Sequence, residues 1–189
     1  MIESIALERG HKIVARIDVG DDFDLKDAQV AIEFTTPATA KDNILHAWAS
    51  NVPVVCGTTG WDVASLMAED QRLHAKPMLI WKSNFSVGVN IFFDLNKCLA
   101  EQMAVQPQYT ASISETHHIH KLDKPSGTAK TLAEAIGTNI PIESIREGEV
   151  PGTHIVTWDS PEDTIIITHI AKSRRGFALG AVLAAESFA

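Results

Sequence analysis

The sequence predicts an α/β fold: a Rossmann-like parallel-sheet dinucleotide-binding domain with its first strand missing, followed by an α+β domain with a mixed sheet. Three observations carry the prediction. Short apolar runs alternate with helical stretches over the first half, the sequence form of a parallel sheet covered on both faces. Each of those runs ends in small, polar or glycine residues, where ligands approach such sheets. Beyond residue 105 the pattern changes to alternating segments joined by turns, which read as an antiparallel or mixed sheet.

Residues 2–9 place Ile2, Ile5, Ala6 and Leu7 at helical spacing, with Gly10 to close the helix. Residues 11–18 read as a strand ending in the acidic Asp18. A second strand, 30–34, runs into Thr35-Thr36-Pro37, and 38–50 reads as a helix with Ile44, Leu45 and Trp48 on one side. The third strand, 52–56, runs into Gly57-Thr58-Thr59-Gly60, and Asp62 is placed to cap a helix over 63–75. A fourth strand, 78–81, leads into Lys82-Ser83-Asn84-Phe85-Ser86, and a long helix covers about 87–103. Residues 109–115 alternate as a half-exposed strand, and 129–136 form a helix with Ser126-Gly127-Thr128 at its start. Candidate strands follow at 142–146, 153–158 and 164–170, then an apolar helix over 176–188. The expected domains are 1–105 for dinucleotide binding, incomplete at the N-terminus, with 171–189 packing back on it. Residues 106–170 are expected to form a second domain.

Composition narrows the function. Hydrophobic residues make up 45% and charged residues 21% of 189, and no apolar run is long enough for a membrane span. A net charge of -8 and a pI near 5.4 argue against non-specific binding to nucleic acid or to an anionic membrane. The acidic, amphipathic start is wrong for a secretory signal. Cys56 and Cys98 both fall in apolar surroundings and read as reduced core residues, so a cytoplasmic location is expected.

The chemistry concentrates in residues 115–130, which hold His117, His118, His120, Lys121, Lys124 and Asp123 ahead of the Ser-Gly-Thr turn. Free N–H groups at a helix start favour an anion, and imidazoles exchange protons near neutral pH, so this stretch is suited to hold an acid and protonate it. A metal is not expected: on a strand His118 and His120 share a face that His117 leaves, and no carboxylate or cysteine stands at a recognised ligand spacing. Ser126 to Lys130 is not a Walker loop, because the lysine comes too late. His154 and His169, which flank the second sheet, are read with the other scattered histidines as surface or satisfied core residues. Arg174-Arg175 reads either as a solvated turn or as a substrate or cofactor contact. In the first half, Asp18 closes the strand after the first helix, where a dinucleotide-binding fold grips the adenosine ribose, which favours a nicotinamide cofactor. The chain has no G-x-G-x-x-G, and the surviving strand ends favour reading it as a fragment that starts inside the following helix.

Glu115-x-His-His-x-His-Lys121, followed by Asp123-x-Pro-Ser-Gly-Thr-Ala129, resembles the signature of the 4-hydroxy-tetrahydrodipicolinate (dihydrodipicolinate) reductase family. Phe34-Thr-x-Pro37, Gly57-Thr-Thr-Gly60, Asn84-Phe-Ser-Val-Gly-Val-Asn90 and Ser173-Arg with Gly176-Phe-Ala-x-Gly-Ala181 fit the same family in the same order, so the resemblance spans nearly the whole chain. It implies an oxidoreductase of lysine and diaminopimelate biosynthesis that uses NADH or NADPH to reduce a cyclic imine dicarboxylate. It further implies that His117 is the general acid, Lys121 a second proton-handling or carboxylate-binding group, and His118 a substrate contact. Ser126, Gly127 and Thr128 would hold a substrate carboxylate; Gly57, Thr58, Thr59, Ser83, Asn84 and Phe85 would line the nicotinamide side, and Asp18 the ribose. A cytoplasmic homotetramer built through the second sheet is implied as well. The chain departs from the family pattern at its start, at 137–145, which is shorter, and at its end. The competing reading is a non-catalytic remnant that binds dicarboxylate or oligomerises without productive cofactor binding.

Overall fold

The computed structural model describes residues 1–188. The chain forms two units, Met1–Ser86 with the chain from Phe177 on, and Val87–Gly176. The division falls at 86/87, earlier than the boundary expected near 105, so the long helix belongs with the second unit.

The first unit contains α1 (Ile2–Glu8), β1 (Ala31–Glu33), α2 (Ala40–Ala49), β2 (Val54–Cys56), α3 (Val63–Leu73), β3 (Leu79–Trp81) and most of α6 (Arg175–Glu186). β1, β2 and β3 form a parallel sheet in that order, with Ala31 beside Val54 and Val54 beside Leu79. Side chains alternate across a strand, and this sheet uses both faces. Val54, Cys56 and Leu79 pack with Ile44 and Trp48 of α2 and Leu66 of α3. Val55 packs on the other face with Phe85, Ala181 and Ala185. There Ile5 and Ala6 of α1 also meet Ala178 and Val182, so α6 buries a stripe at 178, 181, 182 and 185, the helical spacing. Gly180 sits so close that an added Cβ would fall 1.7 Å from the Phe85 carbonyl oxygen. The Asp62 carboxylate accepts the Ser65 N–H at 3.2 Å, the expected cap of α3.

One expected element is absent. Residues 11–18 are not a strand: no described strand shares ladder hydrogen bonds with them. Their apolar residues still pack, Ile13 against the α1–α6 cluster and Ala15 and Ile17 against the α2–α3 cluster. Periodicity records which side chains are buried; a strand also needs a neighbour.

The second unit contains α4 (Val87–Met103), β4 (Thr110–His117), α5 (Gly127–Ile136), β5 (Ile142–Arg146), β6 (Thr153–Asp159) and β7 (Thr164–Ile170). The sheet order is β5-β4-β6-β7; β4 and β5 are parallel, joined through α5, and the other pairs are antiparallel. Its core gathers Phe92, Ala100 and Met103 of α4, Ala129 and Leu132 of α5, Ala111 and Ile113 of β4, and Val156 and Trp158 of β6. Cys98 corrects an expectation. It lies on the exposed side of α4, about half a turn from Asn96, which is buried and donates to the Leu132 carbonyl at 3.0 Å. Cys56 is buried as expected, and both thiols are free.

Candidate active site

β4 runs two residues further than the sequence suggested, to His117, and this extension builds the site. Alternate residues Ala111, Ile113, Glu115 and His117 all face the buried side. The apolar face of the strand thus turns polar at its C-terminal end. Glu115 pairs in register with His154 of β6, which shares its own buried face with Val156 and Trp158. Antiparallel pairing brings such opposed side chains to within a few ångströms, and the two imidazoles of His117 and His154 meet edge to face at 4.9 Å.

Glu115 is fully buried, and its two oxygens have different partners. Oε1 accepts the Ser126 N–H at 3.0 Å and the Arg146 guanidinium at 3.3 Å. Oε2 stands 3.4 Å from His117 Nδ1 and 3.7 Å from His154 Nε2. Burial would push the Glu115 carboxyl up, but hydrogen bonds from Ser126 and Ser144 and the nearby His117 outweigh it and hold the group below the usual carboxylate range. Burial lowers His117, partly offset by the Glu115 charge and reinforced by Lys121 and Arg146. Burial, aided by His117, lowers His154 to about 4, so it is neutral at physiological pH. Nitrogens and oxygens of Glu115, His117 and His154 lie within 4.8 Å of one another, a spacing that also suits a metal ion. Here the Arg146 guanidinium already shares the carboxylate, and its positive charge opposes a cation.

Ser126 is the N-cap of α5; its hydroxyl accepts the Ala129 N–H at 3.2 Å and contacts His154 Nε2 at 3.3 Å. Gly127 and Thr128 form the first turn of α5. Lys121 pairs with Asp123 at 2.6 Å, and the Gly127 N–H also reaches the Asp123 carboxylate. Burial would raise Asp123, but its bonds with Lys121 and the helix start keep it low. His118 leaves the strand and takes the Arg174 guanidinium at 2.7 Å. Burial and then the Arg174 charge lower it. His120 is turned outward to Glu149 at 3.1 Å. The site therefore combines His117, Lys121, Ser126, Gly127 and Thr128 with two residues that the sequence reading did not select, Glu115 and His154. Arg146 is a third.

In the first unit, the ends of β1 and β2 form an open depression of about 490 Å³ lined by Phe34, Thr35, Pro37, Gly57, Thr58 and Thr59. A Cβ on Gly57 would come within 2.0 Å of the Phe34 ring, so any other residue there requires that exposed ring to move. The Thr35 N–H donates to Thr58 Oγ1 at 2.8 Å, and the indole N–H groups of Trp61 and Trp81 both reach the Thr58 carbonyl at 2.8 Å. Phe85 contacts Phe34 with ring centroids 5.9 Å apart, while Ser83 is exposed and the Asn84 side-chain Oδ1 accepts the Ser86 N–H at 2.9 Å. Asp18 stands in an exposed turn outside this depression, where its carboxylate accepts the Val19 N–H at 2.7 Å.

The first unit thus carries a parallel sheet with a glycine-threonine ledge at its strand ends, and the second a mixed sheet with a buried imidazole–carboxylate cluster beside a helix N-terminus. Residues 4–85 match the family model of the dihydrodipicolinate reductase N-terminus and residues 88–189 that of its C-terminus, and the chain belongs to this family. It is 46% identical to a 4-hydroxy-tetrahydrodipicolinate reductase of Christiangramia forsetii, over 98% of this chain and 85% of that protein. It is 35% identical to one of Archaeoglobus fulgidus, over 90% and 74%. The solved structure of a dipicolinate-bound dihydrodipicolinate reductase from Paenisporosarcina sp. TG-14 shares the fold, with a TM-score of 0.65 and 23% identity over 85% of this chain and 68% of that one.

Proposed function

We propose that the chain catalyses the NADH- or NADPH-dependent reduction of 4-hydroxy-tetrahydrodipicolinate to tetrahydrodipicolinate, a step of lysine and diaminopimelate biosynthesis. The observation that carries this reading is the 46% identity, over nearly the whole chain, to a relative of that name. The first unit serves dinucleotide binding and the second holds the substrate.

The ends of β1 and β2 fit a nicotinamide cofactor: Gly57, Thr58 and Thr59 with Phe34 form the ledge, and Phe85 packs against Phe34; Ser83, Asn84 and Asp18, the last for the ribose, are assigned on the family resemblance alone. The bound nicotinamide supplies the hydride. The chain's own residues do the rest. The start of α5, Ser126 to Thr128, holds one substrate carboxylate in the place that the Asp123 carboxylate takes against the Gly127 N–H. Lys121 supplies the cationic partner to a carboxylate or a second proton-handling group, and His118 contacts the substrate. His117 gives up the proton as general acid. Its imidazole is suited to that role because it titrates below its ordinary value, which makes the charged form a ready donor.

Self-association is part of this reading. β7 is an edge strand of its sheet with exposed Ile165, Ile166 and Ile170, an apolar edge that favours pairing with another copy, and a homotetramer accommodates it. No helix of the described residues is long and apolar enough to cross a membrane, and we place the activity in the cytoplasm, where reduced nicotinamide is supplied.

The test follows loss of NADPH absorbance with enzymically generated substrate. The wild-type chain turns over, and His117→Ala lowers turnover by about two to four decades, as loss of a general acid does. Pyridine-2,6-dicarboxylate still binds the variant. Unchanged turnover in His117→Ala refutes the role.

A further inference from the structure

We infer that Glu115 is a positioning residue that locks the proton-donating His117 and the anion cradle of α5 into one fixed relation. The inference rests on the roles given above to His117 and to Ser126–Thr128. A carboxylate with no exposure at all is expensive to desolvate, so it persists only where several groups hold it. Here those groups are the parts of the site. Oε1 takes the Ser126 N–H at the mouth of the cradle, and Oε2 faces His117 Nδ1. Neither Oε2 nor that Nδ1 makes a hydrogen bond among the described residues, and at 3.4 Å each stands as the other's natural complement.

The consequence for the imidazole is directional. With Nδ1–H turned to the carboxylate, Nε2 is the nitrogen left for the substrate. Gly152 keeps that side open: a Cβ there would stand 3.1 Å from His117 Nε2. Arg146 extends the same anchor to the loop before α5. While paired with Glu115, it also donates to the carbonyls of Lys121 at 3.3 Å and Asp123 at 2.5 Å. One carboxylate thus fixes the acid, the cradle and the loop that carries Lys121. The charged and titratable groups facing His117 are Glu115 on its own strand, His154 on β6, Arg146 on β5, and Lys121 and Asp123 from the loop. Glu115 is the nearest anion, and its charge favours the protonated imidazole.

Three measurements test this. In wild-type protein, nitrogen NMR of His117, assigned with His117→Gln, is expected to show the Nδ1–H tautomer; a dominant Nε2–H tautomer overturns the inference without any variant at Glu115 having to fold. In Glu115→Gln, kcat is expected to fall by roughly ten- to a hundredfold, the loss typical of removing a partner that orients a functional histidine. The limb of the kcat profile that falls with rising pH moves to lower pH, because the neutral amide no longer favours the imidazolium. KM and pyridine-2,6-dicarboxylate binding change by less than about tenfold, since the cradle N–H groups remain. Glu115→Asp restores the position of the limb, since the charge returns. A fall in kcat with an unmoved limb, or a profile that overlies the wild type, overturns the inference. The underlying reading fails separately: wild-type turnover in His117→Gln would remove the general acid, whatever Glu115 does.

Discussion

The buried His154 makes stability depend on pH in a way that can be isolated. Its ordinary value of 6.5 falls to about 4 in the folded chain, chiefly because burial penalises the charged ring. The unfolded chain therefore takes up a proton first on acidification. Stability is full above about pH 6.5 and is lost as pH falls toward about 4, because the unfolded state binds more protons throughout that window. A shift of about 2.5 units at ~1.36 kcal/mol each amounts to about 3 kcal/mol. With an m-value of about 1.5 kcal/mol per M for a unit of this size, the urea midpoint falls by about 2 M across the window. His154→Gln keeps a polar side chain but cannot titrate, so its midpoint is expected to fall by much less. The assay is urea unfolding followed by tryptophan fluorescence at a series of pH values, read as the difference between wild type and variant. The subtraction matters, because burial also depresses His117, His118 and His169 and they contribute to both curves. Parallel loss in the two proteins would refute the reasoning: His154 would then be protonated, or exposed, in the native state.

Other perturbations have equally definite outcomes. A chromogenic disulfide reagent is expected to label one thiol quickly in the native protein and two after unfolding. Cys98 is exposed, whereas burial and the Glu33 carboxylate 2.9 Å away push the Cys56 thiol up to about 12; fast labelling of both would contradict that. Leu132→Ala removes a side chain with no exposure from the core under α5 and is expected to cost about 2–5 kcal/mol in urea unfolding. Gly180→Ala places a methyl 1.7 Å from the Phe85 carbonyl oxygen, backbone against backbone, so thermal denaturation should show a loss larger than a helical glycine-to-alanine exchange normally produces; a rise in Tm would disprove the close approach.

Much of this was readable from residues taken one segment at a time. The three parallel strands, the cap at Asp62, the cap at Ser126 and the mixed second sheet all follow from local patterns. Residues 11–18 have the short apolar run of a strand without being one, because pairing depends on a neighbour that local pattern does not report. Cys98 was misplaced for a different reason: applying the helical period from Phe92, Ala100 and Met103 puts it on the outer face. Glu115 was within reach, since it continues the inward alternation of Ala111 and Ile113, and an acid on a core face is a signal by itself. His154 and Arg146 were not. Their place beside Glu115 depends on the pairing of β4 with β6 and with β5, which separate stretches of sequence do not reveal.

The register of β4 carries a wider consequence. Ala111 and Ile113 anchor the strand in the core by the same alternation that sends Glu115 and His117 inward. A slip of a single residue would turn every one of them to the opposite side at once. Misfolding of this strand therefore cannot yield a well-packed molecule with misaligned chemistry. Proofreading of the hydrophobic interior serves equally as proofreading of the strand register, so the positions of Glu115 and His117 face inward wherever the core is correctly packed.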